Sequence, residues 1–213
     1  MSIPIHCSNV LYNDVFNTLY DFTVSFNFTM NTGGYYPVSN NGFSVFFIDG
    51  NIPTVNGGGC GAGLGVISDT NVTATSAVSG MFAVVGFDII GNFFKANGLP
   101  QLTTGTVAAT ANSVGLRANT STYMTYITSV VSNNPYLFGP LGVTPTAFAN
   151  QTVRIGVRKN FTEIDVYSIV NDVYTKISTF QTNLTSVPTT AKFGIGYSGD
   201  TMFEVNDITI NHS

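Results

Sequence analysis

Apolar and polar residues alternate with a period of two along much of this chain. From Phe22 to Met30, Phe22, Val24, Phe26, Phe28 and Met30 fall on one side, and Thr23, Ser25, Asn27 and Thr29 on the other. That pattern predicts a half-buried antiparallel strand. Tyr123 to Val130 alternates in the same way. Val153 to Arg158 sets Val153, Ile155 and Val157 inward against Arg154 and Arg158 outward. Phe43 to Ile48 (FSVFFI) and Met81 to Phe87 (MFAVVGF) are apolar on both faces, which predicts strands in the middle of a sheet with layers packed on each side. Phe161 to Val170 and Val173 to Phe180 flank Asn171-Asp172, two residues that tolerate positive φ, and so predict a tight hairpin. Shorter strands are expected at Leu64 to Ile67, Val107 to Ala111, Val114 to Ala118, Phe193 to Tyr197 and Met202 to Ile210. No stretch has a helical period. The expectation is an all-β chain of about a dozen strands, a two-sheet antiparallel β-sandwich forming one domain over residues 1–213.

Between the strands lie turn-rich segments: residues 3–20 after a short apolar start, then Asn31 to Asn41, Asp49 to Gly61, Asp69 to Ser79, Phe93 to Thr104 and Asn133 to Asn150. The Asp49 to Gly61 loop holds three consecutive glycines, Gly57 to Gly59. A nucleotide loop is one functional reading, but no Lys-Ser/Thr pair follows the glycines and no helix begins there. A tight chain crossing beside a ligand, or a flexible surface loop, is expected instead.

The strand Met81 to Phe87 delivers Asp88 and Asn92 to one loop at the sheet's end. Oxygen-bearing side chains on a loop held by a buried strand suit a binding site, while an Asp after a strand more ordinarily caps a turn.

Charge narrows the partners. Charged residues make up only 8% of the chain, against about a quarter in typical proteins. Four Lys and three Arg give no basic stripe for nucleic acid or anionic lipid. Low charge weakens repulsion between copies and fits a dense repeated assembly, high salt, or compositional drift. No apolar run reaches the length of about 18 residues that a membrane span needs. The N-terminus (MSIPIHCSNVLYNDV) lacks a basic start and an apolar block, so the expectation is assembly in a cytoplasm, or a leader already removed. Cys7 and Cys60 are expected as two buried thiols, with one bridge between them as the alternative. His6 and His212 lie near the termini and no C-x-x-C occurs, so zinc is not suggested. Seven N-x-S/T sequons, at Asn27, Asn71, Asn119, Asn150, Asn160, Asn183 and Asn211, are little more than so Asn- and Thr-rich a chain gives by chance.

Six segments, in order over roughly residues 20–210, resemble the legume-lectin-like (concanavalin A-like) jelly-roll family: LYDFTVSFNF, NGFSVFFIDGNIP, GAGLGVI, VVGFDIIGN, SVGLRAN, and AKFGIGYSGD followed by FEVNDITI. The fourth is similar to the family's metal-loop strand, E-x-D-x-x-x-N. The resemblance places Asp88 and Asn92 at its Asp and Asn, but puts Gly86 at the Glu, Ala96 at a later Asp and Ser113 at the His. It therefore implies no more than a weak or degraded calcium site at Asp88 and Asn92. For sugar, it implies Asp49 or Asn51 as the loop acceptor, Gly61 or Ala62 as the backbone donor, and Asn92 as the amide donor. Ile90 stands at the stacking position, where Phe93 or Phe94 would substitute, and Gly199 and Asp200 form the last loop.

The same sandwich hosts laminarinase-type glucanases with an E-x-D-x-E strand. Here EIDVY puts Glu163 and Asp165 on one strand face, but Tyr167 stands at the acid/base position. His is too scarce for a Ser-His-Asp triad. The resemblance and the lack of a catalytic set thus imply a non-enzymatic lectin-like module. The low charge and the missing signal peptide add the expectation of a virion or extracellular surface, as a decoration, fibre or capsid-associated subunit that meets glycans, other copies of itself or other virion proteins. A purely structural subunit without ligand, and a glucan-cleaving enzyme using Glu163 and Asp165, are the alternatives.

Overall fold

The computed structural model describes residues 6–31, 41–55, 58–67, 78–89, 91, 93, 113–119, 124–131, 147–170, 172–182, 184, 186–199 and 203–212. Its strands, in chain order, are β1 (His6–Leu11), β2 (Phe16–Asn17), β3 (Phe22–Asn31), β4 (Gly42–Asp49), β5 (Met81–Asp88), β6 (Ser113–Asn119), β7 (Met124–Val131), β8 (Ala147–Val157), β9 (Glu163–Val170), β10 (Val173–Gln181), β11 (Thr190–Gly199) and β12 (Phe203–His212). They form two antiparallel sheets. One runs β1-β11-β4-β5-β6-β7 with β2 added on β11; the other runs β10-β9-β8-β3-β12. The all-β, two-sheet sandwich read from the sequence is the fold.

Alternation explains how the layers close. Phe22, Val24, Phe26, Phe28 and Met30 on β3 are at most 1% exposed and meet Phe43, Val45 and Phe47 of β4 and Ala83, Val85 and Phe87 of β5 in one core. Phe43 stacks on Phe87 with ring centroids 4.5 Å apart. β5 is buried along its whole length, as its two apolar faces predict. Among the described residues, the layer on its second side is not a sheet. Phe46, Ile48, Met81 and Val84 pack there against Leu64, Val66, Ile67, Val78 and Phe93.

That second layer corrects one expected element. Residues 64–67 are not a strand. They follow a 3-10 turn, Gly61–Gly63, and fold down on the sheet, with Val66 N–H and Ile67 N–H both bonded to Gly63 O. Of the glycine run ahead of them, Gly57 lies outside the described residues, and Gly58 crosses close over the main chain of Gly65. Gly58 has φ +121°, and a Cβ there would meet Gly65 O at 2.0 Å. The cysteines are also corrected: Cys7 on β1 and Cys60 beside the turn form a disulfide that fastens this layer to the sheet's edge strand. β8 begins at Ala147, earlier than expected, because its first residues pair with the end of β3. Asp172, at φ 61°, turns β9 into β10, and Val170 pairs with Val173 as a two-residue hairpin requires. The strand expected at Val107 to Ala111 lies outside the described residues.

Candidate functional site

Strand register brings one group of segments to a common end of the seven-stranded sheet. Gly42 pairs with Asp88 on one side and Ser198 on the other, Asp88 pairs with Ser113, and Gly199 pairs with His6. Asn41 ties this rim together through its main chain. Its N–H donates to Ser198 O at 3.0 Å, and its carbonyl accepts from Ile89 N–H at 2.8 Å.

Asp88 is fully buried in this rim. Its Oδ1 accepts from Gly91 N–H at 2.8 Å and its Oδ2 accepts from Phe93 N–H. The carboxylate therefore caps the turn that follows β5, which is the ordinary reading of an Asp after a strand. The turn carries Phe93 back over the sheet, where its ring covers Gly86. A Cβ built on Gly86 would lie 2.5 Å from that ring. Arg117 of β6, 2% exposed, completes the arrangement. Its Nε donates to Phe93 O at 2.9 Å, Nη2 donates to the same oxygen, and the guanidinium stands 5.1 Å from the Phe93 ring centroid.

The described residues here do not fit a calcium ion. Asp88 is the one carboxylate among them at this turn, and both its oxygens accept main-chain N–H groups. Calcium takes six to eight oxygens. At Gly86, where the resemblance has a Glu, the Phe93 ring leaves no room for a side chain. Ser113, at the His position, offers a buried hydroxyl, and a fixed cation, Arg117, occupies the same turn. Among the described residues no three His, Cys, Asp or Glu side chains group as a metal site would require. Asn92, the second expected ligand, lies outside the described residues.

Among the described residues, Asp49 and Asn51 stand apart from the other expected sugar contacts. Asp49 pairs with Ala191, and its Oδ1 accepts from both Asn51 N–H and Asn51 Nδ2 at 2.9 Å. It caps a turn at the end of β4 opposite to Gly42. Seven strand steps, roughly 23 Å, separate it from the Asp88 rim. Phe93 is fully buried and offers no ring face to a ligand. Gly61 does reach the rim, but its N–H donates to Ser198 Oγ at 2.7 Å. Ala62 lies in the adjoining 3-10 turn, and Gly199 ends β11 at the rim. Asp200, like Asn92, Ile90 and Phe94, lies outside the described residues. Sequence reading missed Asn41 and Arg117. The Asn-Gly step at 41–42 looked like the end of a loop, and an arginine in an apolar strand carried no mark of its partner.

The carboxylates of EIDVY are engaged too. Asp165 Oδ1 accepts from Lys176 Nζ at 2.7 Å and from Thr179 Oγ1, and Oδ2 accepts from Tyr167 Oη at 3.3 Å. Burial pushes its carboxyl up, yet the hydrogen bonds from Lys176 and Thr179 outweigh it and hold the group below its ordinary value. A proton donor for glycosidic cleavage needs the opposite shift. Glu163 accepts from Gln181 Nε2 and lies 3.7 Å from Arg158 Nε.

No protein-family model matches the chain, and no curated protein matches it. Solved legume lectins match its fold. Lectin II from Ulex europaeus aligns over 100% of this chain and 84% of its own, with TM-score 0.60 and 16% identity. The Bauhinia forficata lectin in complex with GalNAc aligns over 95% and 78%, with TM-score 0.57 and 13% identity. The metal-free form of lectin I-B4 from Griffonia simplicifolia aligns over 97% and 80%, with TM-score 0.58 and 13% identity. The chain has the legume-lectin-type sandwich fold.

Proposed function

We propose that this chain is a carbohydrate-binding, lectin-like module without catalytic activity. The observation that carries the reading is the convergence of Asn41 and Gly42, Asp88 and Ile89, and Ser198 and Gly199 at one end of this sandwich. Loops at the end of a rigid sheet are a favoured place for ligand contacts. The Bauhinia forficata lectin was solved with GalNAc, and for this chain a glycan is the ligand class we infer. Asn92, Gly199 and Asp200 are the proposed contacts. Since main-chain N–H groups and Arg117 hold the turn, binding is proposed to need no calcium.

The setting we infer is an extracellular or particle surface, with a virion decoration or fibre subunit as the specific form. The Cys7–Cys60 disulfide supports an oxidising compartment. The charged fraction of 8% supports close packing with other copies.

A glycan array read with the wild-type chain in calcium and in chelator, beside Asn92→Ala and Asp200→Ala, tests the reading. The expected result is a defined glycan set retained in chelator and lost in the variants. Binding to no glycan would overturn it in favour of a structural subunit. Cleavage of laminarin-like polymers, abolished in Glu163→Gln, would overturn it in favour of an enzyme.

A further inference from the structure

The five-stranded sheet carries a groove of about 390 Å³ on its outer face. That volume lies within the range of small-ligand sites, about 300–1,000 Å³. Its floor is Gly156 on β8, paired in register with Thr23 on β3 and with Asp165 on β9. Among the described residues nothing requires glycine there. A Cβ at Gly156 would meet nothing closer than Asp165 Cβ at 3.7 Å, an ordinary contact, and its φ is not left-handed. Glycine inside a central strand costs chain entropy and adds no packing. Where neither backbone nor neighbours demand it, close approach of a ligand is a reason for it.

The groove's charges are unevenly matched. Arg158 pairs with Asp21 at 2.9 Å and reaches Glu163 at 3.7 Å, and Lys176 pairs with Asp165 at 2.7 Å. Arg154 lines the groove half-buried and makes no ion pair among the described residues. Its guanidinium stands 5.7 Å from the Tyr174 ring centroid. Tyr167, opposite Arg154 in register, and Tyr174 supply ring faces and phenol oxygens, and Asn211 supplies an amide. A planar guanidinium matches a carboxylate through two parallel hydrogen bonds. Aromatic faces and amide or hydroxyl groups suit the C–H faces and hydroxyls of a pyranose.

We propose that this groove is a second binding site, separate from the rim, for a carboxylate-bearing sugar such as a terminal sialic or uronic acid. Arg154 clamps the carboxylate, and the open floor at Gly156 admits the ring.

Calorimetric titration of the full, unglycosylated chain tests it, with sialyllactose, a glucuronic-acid disaccharide, lactose and sodium sulfate as probes. At least one acidic saccharide should bind, with lactose and sulfate each much weaker. Arg154→Gln should weaken that binding about tenfold or more while leaving neutral-glycan binding at the rim as in wild type, so the two sites fail separately. Gly156→Ala should weaken it as well, with an unchanged or higher melting temperature. Binding of neither acidic saccharide, or binding unmoved by both substitutions, would overturn the proposal. So would sulfate binding as tightly as the saccharide, which would mark an adventitious ion only.

Discussion

Arg117 donates from Nε to the main-chain oxygen of Phe93 at 2.9 Å while its guanidinium faces the Phe93 ring. Arg117 lies within β6 and Phe93 in the turn that follows β5, so their contact holds the same turn whose main-chain N–H groups Asp88 accepts. The cation at this turn is thus one of the chain's own side chains. Replacing Arg117 with Ala removes a charged donor and leaves a buried carbonyl without it. The expected loss is about 2–4 kcal/mol, read as a lower urea midpoint.

Two glycines should respond in opposite ways to the same substitution. Gly86→Ala drives a Cβ to within 2.5 Å of the Phe93 ring and should cost about 1–3 kcal/mol by overpacking. Gly156→Ala meets only ordinary contacts and should be neutral or stabilising by up to about 1 kcal/mol. Paired thermal melts of the two variants compare them directly.

The disulfide joins residues 53 apart in sequence. Closing a loop of that size restricts the unfolded chain by about 4 kcal/mol. The Cys7→Ser, Cys60→Ser double variant should lose up to that amount in denaturant titration, and the wild type should lose the same on reduction.

Acid should weaken the outer face of the five-stranded sheet. Asp165 is pushed up by burial but brought below its ordinary 3.8 by hydrogen bonds from Lys176 and Thr179. Asp21 is lowered chiefly by its hydrogen bond from Arg158. A carboxyl lowered on folding stabilises the native state above its unfolded pKa, and that contribution is lost as pH falls through the folded value. Urea midpoints should hold steady above about pH 5 and fall below about pH 4, with a shallower fall in Asp165→Asn.

The layers were legible in the chain because alternation is a local property. Phe22 to Met30 reads as a strand from its own residues, and its odd-even split is the split between core and exterior. Met81 to Phe87 likewise announces two covered faces. What covers the second face was not legible. Leu64 to Ile67 has strand composition, yet a disulfide, a crossing at Gly58 and main-chain bonds to Gly63 fold it into a turn. At the candidate site, Asp88 could be singled out from its place after a buried strand. Its commitment to Gly91 and Phe93 could not, since those bonds depend on where the turn sits over Gly86. Asp49 misled for a related reason: the motif gives order along the chain, whereas the register of β4 on β5 decides which end of the sheet each residue reaches.

The thermal midpoint of the full chain, measured in chelator and then across a calcium titration, tests most directly whether the Asp88 turn is held by the protein's own groups. One midpoint is expected throughout. A saturable rise on adding calcium, about 5–10 °C at a hundredfold excess over the dissociation constant for a chain of this size, and absent in Asp88→Asn, would contradict it.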